Sequence, residues 1–141
     1  MKPHRRITTL ARHIGLLSTT SALVLAAAPV GANPVGEQVV SGVAGFDRSL
    51  AGSLLVGQST QNAIINWQGF SIGAGESTRF VVPTGGATLN RVITGDPSSI
   101  YGSLSSNGTL MLINPNGILV GPSGTVDTAG LVLSTLDVSD S

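Results

Sequence analysis

The side chains that could do chemistry in this 141-residue chain are few, and they are carboxylates. From Asn33 onward there is no histidine, cysteine or lysine, because His4, His13 and Lys2 all precede it. That excludes imidazole acid–base pairs, thiolate nucleophiles, Schiff-base lysines and the usual zinc ligand sets. Paired acids are the remaining enzymatic route, since glycoside hydrolysis needs only two carboxylates at a fixed separation. Asp96, Asp127, Asp137 and Asp140 are the nominees. Asp96 lies in the turn signature Gly95-Asp96-Pro97-Ser98-Ser99, and the Asp137/Asp140 pair falls near the end of the chain. Solvated turn and surface roles account for all of them. The expectation is a protein that is not an enzyme and holds neither cofactor nor metal.

Two glycine-containing motifs have other readings. Gly69-Phe70-Ser71-Ile72-Gly73-Ala74-Gly75 lacks the following lysine and helix of a phosphate loop. Asn107-Gly108-Thr109 fits a glycosylation acceptor, but Asn-Gly is a turn signal and is read as one here. No loop has the dense, spaced acids of a calcium site.

The asparagines say more. In Asn114-Pro115-Asn116-Gly117-Ile118, proline fixes one φ, and Asn116-Gly117 can adopt the positive φ of a sharp corner. Asparagines at successive corners can hydrogen-bond neighbouring coils, as stacked amide ladders do. Asn90 and Arg91 are polar residues in a strand-like run, and an inward-facing Asn90 would need all its hydrogen bonds made.

The elements that must position these residues are short. Glycines are enriched, 17 of 19 falling after residue 32, roughly twice the ordinary share of about 7%. They punctuate β-branched runs: 38–43, 53–56, 63–67, 78–82, 87–93, 100–104, 109–113, 117–120 and 130–134. No convincing helical period appears after residue 33, so the expected class is all-β. Ile65 and Trp67 share one strand parity, and Phe70 and Ile72 share the other. The break at Gln68-Gly69 predicts a bulge or corner, with Trp67 and Phe70 in the core. Sandwich, barrel and parallel β-helix all fit this pattern. The turn spacing suits coils of about twenty residues or a little more. The chain has no evident capping element at its end, so it reads as a fragment of something longer.

Residues 1–32 read differently. Lys2, Arg5, Arg6 and Arg12 give a basic start, an apolar run spans 14–28, and Val30-Gly31-Ala32 supplies small residues before a cut at Asn33. Those are the three parts of a secretory signal peptide, and the apolar run is short for a membrane span. Removing this leader leaves Arg48, Arg79 and Arg91 against seven acids, a net charge of 3 − 7 = −4. Nucleic acid is therefore not an expected partner. With no cysteine, strand pairing rather than disulfides must hold the fold.

The ordered series from Ala63 to Thr135 resembles the secretion domain of filamentous-haemagglutinin-type two-partner-secretion (TPS) exoproteins. Asn66-Trp67-Gln68-Gly69-Phe70-Ser71-Ile72-Gly73 is similar to that family's strand-and-corner opening. Leu89-Asn90-Arg91-Val92, Ile100-Tyr101-Gly102-Ser103-Leu104, Asn107-Gly108 and Leu112-Ile113-Asn114-Pro115-Asn116-Gly117-Ile118 follow in the family's order, with Asn-Pro-Asn-Gly-Ile the most specific element. Gly130-Leu131-Val132 and Ser134-Thr135 complete the series.

The resemblance implies a right-handed parallel β-helix, with residues 33–141 forming part of a TPS domain. It also implies Sec export, followed by passage through a dedicated outer-membrane barrel transporter with periplasmic modules, to the surface of a Gram-negative bacterium or the medium. Asn114, Pro115, Asn116, Gly117, Ile118, Asn90 and Arg91 then become the expected recognition or folding residues, with Trp67, Gly69 and Phe70 as corner and core. A directly binding adhesin module, with host glycan or matrix as partner, is the alternative expectation. A β-helix polysaccharide-degrading enzyme ranks third.

Overall fold

The computed structural model describes residues 32–137. Residues 1–31, which hold nearly all of the expected leader, and 138–141, which include Asp140, lie outside the described residues. Among the described residues there are ten strands and no helix. They are β1 (Gln38–Ser41), β2 (Ala44–Asp47), β3 (Ser53–Gln58), β4 (Asn62–Trp67), β5 (Ser77–Val81), β6 (Ala87–Val92), β7 (Ser98–Ile100), β8 (Ser103–Ile113), β9 (Ile118–Val120) and β10 (Thr125–Ser134).

The chain lays these strands on three faces in rotation. On the first, β3, β5, the first half of β8 and the first half of β10 stack in parallel, with Ser53, Ser77, Ser103 and Thr125 in register. Those partners are 24, 26 and 22 residues apart in sequence. On the second face, β4, β6 and the second halves of β8 and β10 stack in the same sense. The third face is thinner: Ile72 bridges Ile100 in parallel, and β7 pairs with β9. The result is a parallel β-helix of about four turns.

Alternation along each strand decides what enters the core. In β3, Leu54 and Val56 point inward, and in β4 Ala63, Ile65 and Trp67 do. Their stacked partners Thr78, Phe80, Leu104 and Leu110 carry the same face through successive coils. Four rings form a chain inside: Phe46 meets Trp67 edge-on at 5.6 Å, Trp67 meets Phe70 edge-on at 5.6 Å, and Phe70 stacks on Phe80 at 6.4 Å. Offset and edge-on contacts of this kind add to the area the rings bury. At one end of the stack, β1 and β2 run antiparallel to β4 and β3 and press Val39, Ala44 and Phe46 onto the core.

Two sequence expectations need correction. Asn107-Gly108 is not a turn: both residues lie inside the eleven-residue β8. They form a bulge, because Thr128 pairs with Ser106 and Gly130 with Thr109, so two residues of β8 oppose one of β10. The extra residue bends the strand from the first face onto the second, and no loop is needed. The run 100–104 is likewise not one strand. β7 ends at Ile100, Tyr101-Gly102 makes a corner, and β8 begins at Ser103.

Candidate functional site

Asn114, at the corner after β8, is fully buried. Its Nδ2 donates to the Asp96 carbonyl at 2.8 Å and to Ser98 Oγ at 3.0 Å, both in the preceding coil. Its Oδ1 accepts from the Asn116 N–H at 3.0 Å and from Asn116 Nδ2 at 3.2 Å. The Asn114 N–H donates to the Ser134 carbonyl of the following coil at 2.9 Å. One side chain and its peptide therefore tie three coils together. A buried amide demands this, since an unmade hydrogen bond there costs about 1–3 kcal/mol.

The turn itself closes through Gly117 N–H to the Asn114 carbonyl at 3.0 Å, with Pro115 and Asn116 exposed at its tip. Only Gly117 takes a positive φ, 113°; Asn116 does not, since among the described residues only glycines do. Pro115 at the second position and an ordinary φ at Asn116 describe a type I turn. Asn116 Nδ2 reaches the Thr94 carbonyl of the preceding coil at 2.7 Å. Asn114 and Asn116 thus do hydrogen-bond a neighbouring coil, through its carbonyls and a serine hydroxyl. Ile118 opens β9 and packs against the core.

Asn90 sits inside the helix, also fully buried. Its Oδ1 accepts the Trp67 indole N–H at 2.9 Å, and its Nδ2 donates to the Met111 carbonyl at 3.3 Å. Arg91, the next residue, has the opposite parity and faces out. Its Nε pairs with Asp137 Oδ1 at 2.9 Å. Adjacent residues of one strand therefore serve different surfaces, Asn90 the core and Arg91 the outside of the second face. Trp67 and Phe70 flank the corner at Gln68-Gly69, where Gly69 bridges Val35. A Cβ at Gly69 would make only ordinary contact with Val35, so this corner does not depend on glycine.

Two polar seams had no clear sequence signal, one in the interior and one at the surface. Gln58 is buried: its Nε2 serves the Thr60, Gln61 and Ala87 carbonyls while its Oε1 accepts from Thr88 Oγ1 at 2.6 Å. Asn107, at the β8 bulge, pairs with the backbone of Val82 from both ends of its amide. Oδ1 accepts the Val82 N–H and Nδ2 donates to the Val82 carbonyl, each at 2.8 Å. A side chain here stands in for a strand neighbour beyond the end of β5. The only hint in the sequence was Asn-Gly itself, which was read as a turn.

Among the described residues, the nominated acids Asp96, Asp127 and Asp137 are not brought together. Asp96 precedes β7 on the third face, Asp127 points outward from β10 on the first, and Asp137 pairs with Arg91. Asp127 instead shares a shallow polar groove with Arg79, Ser105, Asn107 and Thr128. Asp47 is held below its ordinary pKa of 3.8 by hydrogen bonds from Ser49, whose N–H lies 2.8 Å from Oδ1.

Residues 35–141 match the family described as the TPS secretion domain. The fold is similar to the secretion domain of HMW1 from Haemophilus influenzae, with a TM-score of 0.73 and 37% identity, covering 77% of this chain and 29% of that one. A heme/hemopexin-binding protein of Haemophilus influenzae is 32% identical over 124 residues, 87% of this chain and 13% of the relative. Its counterpart in strain Rd is 33% identical over 106 residues, 74% of this chain and 12% of the relative. The chain thus spans about an eighth of the length of these relatives. TPS domains are secretion domains of exoproteins that leave Gram-negative bacteria through an outer-membrane transporter. This chain, an all-β solenoid carrying the asparagine corner, belongs to the TPS secretion domain family.

Proposed function

We propose that residues 33–141 form the export-recognition domain of a longer exoprotein, read by a cognate barrel transporter through its periplasmic modules and then seeding the passenger's β-helix at the cell surface. Residues 1–32 deliver the chain to the Sec machinery. The observation that carries this reading is the burial of Asn114, whose side chain makes four hydrogen bonds inside the fold. A partner that meets Asn114, or the equally buried Asn90, meets it before the coils close. Asn114, Pro115, Asn116, Gly117 and Ile118 then act in order: accessible to the transporter while extended, locked as a corner once outside. Asn90 and Arg91 do the same for the second face. Catalysis has no part in this reading, since Asp96, Asp127 and Asp137 lie on different faces.

The test is secretion of the full-length protein with its transporter. Replacing Asn114 or Asn116 with alanine should leave the medium empty while the chain accumulates or is degraded in the periplasm. Normal secretion of both variants would remove the motif from the mechanism.

A second reading, direct binding of host carbohydrate or matrix by the domain, draws on the outward groove of Arg79, Ser105, Asn107, Asp127 and Thr128. Charged and hydroxyl-bearing groups on a rigid sheet suit sugar hydroxyls. Glycan binding by the purified domain, lost in Arg79→Ala and Asp127→Asn with secretion intact, would establish it.

A further inference from the structure

The first residues after the expected cut are built into the first coil. Asn33 is 8% exposed and its Oδ1 accepts from the buried Thr78 Oγ1 at 3.2 Å. Pro34 is buried, and its carbonyl accepts from Arg48 Nη2 at 2.8 Å. The Val35 N–H donates to the Gly69 carbonyl at 2.9 Å, and the Val35 carbonyl accepts from Gln68 at 3.0 Å.

Beside this junction lies Glu76. Its Oε1 accepts the Ala32 N–H at 3.1 Å, and its Oε2 faces the Gly73 N–H at 3.4 Å. Among the described residues Glu76 has no ion pair. Cleavage between Ala32 and Asn33 takes away the amide that Glu76 holds and leaves an ammonium one residue further on, at most roughly 3.6 Å of chain away. A glutamate side chain spans that difference by rotating.

We propose that Glu76 receives the amino terminus created at Asn33, exchanging the Ala32 amide it holds in the unprocessed chain for the new ammonium, so that processing adds an ion pair to the first coil. This rests on the leader reading given above. A carboxylate within about 4–6 Å favours the charged amine. The other charges close to this segment are Arg48 and Glu37, paired with each other at 2.8 Å; Arg48 opposes the effect of Glu76 and Glu37 offsets it.

The composition supplies a clean assay. Lys2 is the chain's sole lysine, so once the leader is gone the α-amino group is the single primary amine. The protein is exported with its own leader, purified, and its first residues are sequenced. A product still beginning at Met1 overturns the leader reading, and the docking site with it. A product beginning at Asn33 is labelled at neutral pH with an N-hydroxysuccinimide ester, folded and in urea.

Folded protein should label on the order of tenfold more slowly, the effect of about one pKa unit on the free-amine fraction. The Glu76→Gln variant, which keeps an acceptor for Gly73, should recover most of that rate, and Glu37→Gln should not. Should Glu76→Gln not fold, 1 M salt on the unsubstituted protein decides, because screening an ion pair must speed its labelling. Equal rates folded and unfolded overturn the proposal. Slow labelling that neither Glu76→Gln nor salt relieves also overturns it, since burial alone would then protect the amine.

Discussion

The indole N–H of Trp67 donates to Oδ1 of Asn90 at 2.9 Å, from one coil to the next, with both side chains fully buried. Asn90 passes the connection on to Met111, so a polar thread runs through an otherwise apolar interior. Asn90→Ala strands a buried indole donor and removes the amide donor to the Met111 carbonyl. It should cost about 2–3 kcal/mol. Trp67 is the single tryptophan, so urea unfolding followed by its fluorescence reads the site directly. An unchanged midpoint would show that the thread contributes nothing to stability.

At the asparagine corner, Asn114→Asp discriminates between shape and hydrogen bonding. Aspartate retains the acceptor toward Asn116 but cannot donate to Asp96 and Ser98 while ionised. A buried carboxylate facing the Asp96 carbonyl is strongly unfavourable. The variant should be destabilised by about 3 kcal/mol or more at neutral pH. Burial raises the folded-state pKa of the introduced acid, so part of the loss should return as pH falls. Denaturant titrations at two pH values check both effects, and a pH-independent loss would contradict the hydrogen-bond account.

Glycine is required at the β8 bulge for reasons of space. A Cβ on Gly108 would lie 2.3 Å from Val82 Cγ2 and 2.5 Å from the Gly86 carbonyl oxygen. Gly108→Ala should therefore cost about 1–3 kcal/mol through displaced backbone. Gly45, in β2, has nothing within 4 Å of its would-be Cβ. Gly45→Ala should be close to neutral, within about 0.5 kcal/mol. Thermal melts of the pair provide the comparison, and equal losses would contradict it.

Asp47 is fully exposed and its pKa is lowered by the Ser49 hydrogen bonds. A carboxylate whose folded pKa is depressed stabilises the fold above its unfolded pKa, and that contribution fades as pH falls through the folded value. A carbon-13 titration should place Asp47 below 3.8, and Ser49→Ala should move it back toward that value. A titration already at 3.8 in the unsubstituted protein would rule this out.

The fold class was legible because β-branched runs at strand length recur between glycine corners, and the ordered motif series selects the β-helix among all-β folds. The parity break at Gln68-Gly69 located a real change of direction, with Ile65 and Trp67 inward before it and Phe70 and Ile72 inward after it. What stayed hidden depends on neighbouring coils. Ala44–Asp47 carries a glycine and an aspartate in four residues, yet it is a strand because β3 supplies its hydrogen bonds. Asn107-Gly108 has the chemistry of a turn, but flanking pairs to β5, β6 and β10 hold it as a bulge. Asn90 could be flagged as polar in a strand; that Trp67 is its partner follows only from the coil register.

The parallel register makes assembly incremental. Successive partners on the first face are 22 to 26 residues apart, so the loop closed at each step is nearly the same length and its entropic cost barely changes from turn to turn. The cap and first coil need only residues up to Phe80 before a template exists for the next. Growth from that template is directional, and damage is confined. A lesion at Asn114 halts extension at its own rung and leaves the rungs already laid down standing, so protease should trim such a chain back to a discrete stub.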